Sequence, residues 1–149
     1  MHDSSFIMIT IDPSAEENGL ANMLATIMRQ NLEDHPERTR LLNGLSGRLA
    51  IFAEDAEVAI TWVFENGDAT VHDGIVGIPD LTIRGGFEPI GDMSRMESTK
   101  IRGLEHFPDP RGPVNRSMWK ALRNGQLRIH GLPRSLPLLL AFGDIMQIG

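Results

Sequence analysis

The chain has 149 residues and no cysteine, which allows one domain with its own core and excludes disulfides, thiolate nucleophiles and cysteine metal sites. With 41% hydrophobic and 23% charged residues, the composition is globular rather than disordered. A net charge of −6 argues against nucleic acid as a partner, because a phosphate backbone needs a basic footprint.

The first residues, MHDSSFIMITID, hold an apolar run only from Phe6 to Ile9, behind Asp3. They lack the charged and apolar regions of a secretion signal, and 1–13 reads as an N-terminal extension. Residues 14–33 read as an amphipathic helix, with Leu20, Met23, Leu24, Ile27, Met28 and Asn31 on one stripe. Ser14 is its expected cap, with Glu16 and Glu17 behind it. His35-Pro36 ends the run.

The period then changes from helical to alternating. Leu49 and Ile51 share one face of a strand over 46–53. Val58, Ile60, Trp62 and Phe64 share one face of the next, over 57–65. Asn66-Gly67 is a strong hairpin signal, and 68–72 returns with Ala69 and Val71. A fourth strand, 80–84, carries Leu81 and Ile83. Such alternation predicts an antiparallel sheet covered on one side only.

A short helix is expected over 87–96, carrying Ile90 and Met93. Residues 97–117 hold three prolines without a clear period and read as an irregular, lid-like loop. A helix follows over 113–124, started by Pro113, with Val114, Met118 and Leu122 in phase. Residues 126–130 form a fifth strand with Leu127 and Ile129 inward. A closing helix over 132–146 has apolar residues almost all round it. The longest apolar run, Leu136 to Phe142, is interrupted by Pro137 and falls far short of the ~20 residues of a membrane span. A cytoplasmic location is expected.

Three segments carry a family resemblance: LSGRLAIFAEDAEVAITWVFENGDATV, PDLTIRGGFEPIGDM and WKALRNGQLRIHGLPRSLPLLLAF. In this order and spacing, over about residues 20–146, the chain resembles the sterol carrier protein type-two family. The Met96–Ser117 segment is longer and richer in proline than that pattern. The resemblance implies an α+β fold: a five-stranded, mostly antiparallel sheet with helices on one face and a hydrophobic tunnel between the layers. It also implies binding or transfer of a fatty acid, acyl-CoA, sterol or isoprenoid lipid without catalysis.

The residues available to line such a tunnel are Trp62, Phe64, Leu81, Ile83, Leu127 and Ile129 from the sheet. Met93, Met118, Leu122, Leu136, Leu139 and Leu140 face them from the helices, with Phe107 and Trp119 at the loop. Eight methionines suit a lining that re-packs around varied guests. Arg95, Arg102, Arg111 and Arg116 are the candidate head-group partners. Each lining residue also has an ordinary reading as core, and each arginine as solvated surface.

Catalytic signals are sparse. The five histidines lack metal-ligand spacing, there is no nucleophile elbow, and the glycines of GIVGIPDLTIRGG do not follow a phosphate-loop pattern. No cofactor or metal is expected. His72 beside Asp73, and His106 near Asp109, are the local acid–base pairs, and a solvated sheet face explains the first. The charge is uneven: residues 1–94 hold five Lys or Arg against sixteen Asp or Glu, residues 95–149 nine against four. The basic third suits a membrane surface or an acidic partner, or simply faces the acidic part. The alternative function is a module that docks a partner enzyme, or a second copy, through the apolar last helix.

Overall fold

The computed structural model describes residues 9–86, 88, 90, 98–101, 104–108 and 120–146, with 98–101 and 104–108 as backbone. Among the described residues eight strands follow one another: β1 (Ile9–Ile11), β2 (Gly47–Ala53), β3 (Val58–Glu65), β4 (Asp68–Asp73), β5 (Leu81–Gly85), β6 (Ser98–Ile101), β7 (Leu104–Pro108) and β8 (Leu127–His130). Helices α1 (Gly19–Asp34), α2 (Thr39–Asn43) and α3 (Leu136–Met146) accompany them. Glu88 and Ile90 are also helical, as are residues 120–123.

The five expected strands are all present, but the sheet has six, in the order β1-β4-β3-β2-β5-β8, and it is mixed. β1 runs parallel to β4 and β2 runs parallel to β5, while the other pairs are antiparallel. The sixth strand comes from the supposed extension: Ile9 and Ile11 pair with Ala69 and Val71, and the Arg29 guanidinium holds the Ile9 carbonyl at 2.8 Å. Three residues are too short to show a period. The expected irregular loop is also corrected where it is described, because β6 and β7 form a two-stranded antiparallel sheet. β7 runs against α3.

Local chemistry accounts for the elements. Asn66 and Gly67 both take positive φ, 53° and 84°, the geometry of the tight turn that matches strand twist. The cap of α1 is Asn18 rather than Ser14. Asn18 Oδ1 accepts from the Ala21 amide, and its Nδ2 donates to the Ala59 carbonyl and the Asp73 carboxylate. One side chain thus starts the helix and pins it to the ends of β3 and β4. Ser14 sits instead in a 3-10 turn opened by Asp12 and Pro13.

Cross-strand register builds one apolar face. Leu81, Leu49, Trp62 and Val71 lie side by side across four strands, and Ile83, Ile51 and Ile60 form the next row. All seven are at most 1% exposed. α1 covers this face with Leu20, Leu24 and Met28, and α3 covers it with Leu138, Phe142 and Ile145. Asn31 joins the two helices by donating to the Ile145 carbonyl at 2.9 Å.

The opposite face is not bare, contrary to the one-sided expectation. From β4 the chain must pass β3 and β2 to reach β5, and residues 74–80 make that crossing over the outer face. Thr61 lies beneath it, fully buried, donating to the Gly74 carbonyl and accepting from the Val76 amide. Ala50, beside Thr61 in register, is buried as well.

Candidate functional site

Among the described residues, the inner sheet face gathers most of the large fully buried side chains. At its centre Trp62 and Phe64 stand two apart on β3, so they project to the same side. Their rings stack at 6.0 Å between centroids and 11° between planes. Phe142, from α3, closes on both at 6.4 Å and 6.1 Å in tilted and edge-on geometry, arrangements that favour aromatic pairs. The cluster couples the middle strand to the last helix.

One polar group interrupts this surface. The Trp62 indole N–H is fully buried and has no hydrogen-bond partner among the described residues. An unmade buried donor costs about 1–3 kcal/mol, and native interiors hold few of them. A guest carrying an acceptor oxygen would satisfy it.

The predicted lining is brought together in part. Trp62, Phe64, Leu81, Ile83 and Leu127 are buried on the inner face, and Ile129, Leu122 and Leu139 are half-buried and packed against it. Leu140 is half-buried, and Leu136 is exposed at the start of α3. The residues that α3 buries are Leu138, Phe142, Gly143, Asp144, Ile145 and Met146. Positions 138, 142 and 145 recur at helical spacing, but leucines on every side of the helix masked that phase. Met93, Met118, Trp119, Arg95, Arg102, Arg111 and Arg116 lie outside the described residues, as does the side chain of Phe107.

The outer face is polar and carries its own network. Arg84 and Arg128 stand opposite each other on β5 and β8. Glu54 resolves that like-charge pair by accepting from both guanidinium groups. Arg84 also lies 5.3 Å from the centroid of the Phe52 ring. His72 pairs not with Asp73 but with Asp12, at 3.6 Å. The hydrogen bonds from Ser14, and then the nearby His72, hold the Asp12 carboxyl below its usual value. Among the described residues, no three His, Asp or Glu side chains converge as a metal site, and no helix is long and apolar enough to cross a membrane.

The geometry supplies an apolar layer with one orphan donor among the described residues, flanked by helices, and α3 also buries Asp144. Compared with known folds, the chain superposes on UbiJ-SCP2, a ubiquinone synthesis protein, with a TM-score of 0.56. The match covers 85% of this chain and 94% of that one at 12% identity. This is the sterol carrier protein type-two fold. Two further solved structures match at a TM-score of 0.48. Sterol carrier protein 2 is 16% identical, over 83% of this chain and 91% of its own. The inverting sec-alkylsulfatase Pisa1 from Pseudomonas sp. is 18% identical, over 74% of this chain and 14% of its own. No family model and no curated protein matches the sequence. The sterol-carrier fold therefore rests on three-dimensional likeness at low identity.

Proposed function

We propose that this protein is a non-catalytic carrier of a hydrophobic ligand, held between the inner sheet face and the layer of α1 and α3. The single observation that carries the reading is the orphan Trp62 N–H in the middle of an otherwise apolar surface. It favours an oxygen-bearing lipid over a plain hydrocarbon, because only the former supplies an acceptor. Fatty acids, acyl-CoA, sterols and isoprenoid lipids all meet that condition. The sterol-carrier fold supports the same reading, and ubiquinone, named for the UbiJ relative, is itself an isoprenoid quinone.

The β6–β7 pair beside α3 is the described part of the proposed lid over 97–117, and the four candidate head-group arginines, which lie outside the described residues, are proposed for its rim. Leu139 of α3, half-buried against the core, is proposed to complete the lining. A large rearrangement is unnecessary if Met28 and Met146, which border this layer, change rotamer around a guest.

Native mass spectrometry of the freshly purified chain, with an organic extract of the same sample, tests the proposal. A bound mass of a few hundred daltons, on the order of one lipid, should appear and be lost on denaturation. Trp62→Phe keeps the ring and removes the donor. It should weaken displacement of a fluorescent fatty acid or isoprenoid about tenfold, the equivalent of one hydrogen bond. Bare protein with no uptake of offered fatty acid, sterol or isoprenoid would refute the carrier reading.

A further inference from the structure

Trp62 sits in a dry setting. Leu49 and Val71 flank it in register on β2 and β4, and the rings of Phe64 and Phe142 close around it. The side chain is fully buried, and its indole N–H finds no acceptor among the described residues. A single water answers such a donor poorly, because a buried water needs roughly two to four polar partners and these four neighbours are apolar. An indole N–H only donates. What it asks of a guest is an atom that accepts.

The surroundings decide what charge that acceptor can carry. An ionised carboxylate is costly to take out of water unless a cation or several donors receive it. Its two oxygens present about four acceptor positions against the single indole donor. The cations of the sheet stand elsewhere. Arg48 reaches the β4–β5 crossover over the outer face, and Arg84 and Arg128 share Glu54 on that face. His72 of β4 pairs with Asp12, also on the outer side.

The remaining charges near the layer lie at its margins. Glu65 ends β3 and Asp68 starts β4, both exposed, and exposed Asp73 is held by Asn18. On α1, Arg29, Glu33 and Asp34 are exposed, as are Arg40 of α2, Lys120, Arg123 and His130. Among the described residues the buried polar side chains are Asn31, Thr61 and Asp144. Asn31 donates to the Ile145 carbonyl, and Thr61 lies under the crossover. Asp144 is engaged within the protein and brings an acid, which repels a second carboxylate. None of the three supplies a positive charge.

Resting on the carrier reading, we propose that the inner-face site admits the polar end of its ligand only in uncharged form, as a ketone, ester or hydroxyl oxygen that accepts from Trp62. A fatty acid then enters as the neutral acid and takes one proton from solvent as it binds. The same acyl chain is held better as its ester than as its salt.

The experiment follows laurdan, an uncharged fluorescent alkyl ketone, bound to the full chain and displaced by decanoic acid or by methyl decanoate. A free carboxylic acid is mostly ionised well above about pH 4–5. Apparent affinity for decanoic acid should therefore fall about tenfold per pH unit, or about a hundredfold from about pH 6 to about pH 8. Affinity for the ester should hold constant over the same range, which controls for titration of the protein itself. The two tryptophans give two indole N–H signals in a proton–nitrogen spectrum, and Trp62→Phe identifies the one that belongs to Trp62. That signal should move downfield in the ester complex, and Trp62→Phe should weaken laurdan about tenfold, as loss of one hydrogen bond does. The pH series is read on the wild-type chain, so it stands even if the variant fails to fold. Decanoic acid that competes equally at every pH would overturn the proposal and leave the carrier reading in place. An unmoved Trp62 signal in the ester complex would do the same. Binding of none of the three compounds would overturn both.

Discussion

The two faces of the central sheet use the same strands to opposite ends. On the inner face, Leu81, Leu49, Trp62 and Val71 form an unbroken apolar row, and the interaction is burial without direction. On the outer face, Thr82, Ala50, Thr61 and His72 form the corresponding row, and cohesion comes from placed hydrogen bonds. The difference teaches where each face gets its information. The inner face follows from side-chain alternation along each strand. The covering of the outer face follows from strand order, because a crossover from β4 to β5 has to lie over something.

The largest break in that comparison should come from the inner face. Ile51→Ala removes most of a 1% exposed side chain from the middle of the core and should cost about 2–5 kcal/mol. Thr82→Ala, half-buried on the outer side of the neighbouring strand, should cost under about 1 kcal/mol. Urea unfolding of both variants measures the gap. Equal losses would mean that the two faces are packed alike.

A sharper test separates the crossover from the outer face beneath it. Thr61→Val keeps the shape of the side chain and removes both hydrogen bonds to the loop. The expected cost is about 1–3 kcal/mol, with faster amide exchange at Val76, whose N–H loses its acceptor. Unchanged exchange there would show that Arg48 and Asp80 hold the crossover unaided.

These residues also show how far the sequence could be read. Trp62 and Phe64 were assignable to the inner face because a strand period of two leaves no choice once Ile60 is inward. Asn66-Gly67 announced its hairpin for a stereochemical reason that needs no tertiary context. Thr61 was equally legible as outward, yet its burial was not, since that depends on a segment thirteen or more residues later in the chain. β1 escaped because a three-residue parallel edge strand owes its existence to β4. The inward side of α3 is hidden in the sequence because leucine occupies nearly every side of it: of the expected Leu136, Leu139 and Leu140, Leu136 is exposed and Leu139 packs against the core, while Leu138 and Phe142 are buried. The Trp62 donor had no sequence signal at all, because the absence of a partner is visible only in three dimensions.

The smallest expected effect distinguishes the faces by pH. Asp12 follows β1, accepts from the Ser14 amide at 3.0 Å and stands beside His72 of β4. Folding lowers its pKa from 3.8, first through the Ser14 hydrogen bonds and then through His72. A carboxylate favoured in this way contributes stability above its unfolded pKa and loses it as pH falls through the folded value. Asp12→Asn keeps an acceptor for Ser14 and removes the charge. The stability gap between wild type and this variant should shrink as pH falls below 3.8, in a series of urea midpoints. The gap between wild type and Ile51→Ala should show no such trend, because no ionisable group changes there. If the Asp12→Asn gap were flat throughout, the contact would be a hydrogen-bonded cap alone, and the outer face would owe less to charge than its arrangement of Asp12, His72, Glu54 and the arginines implies.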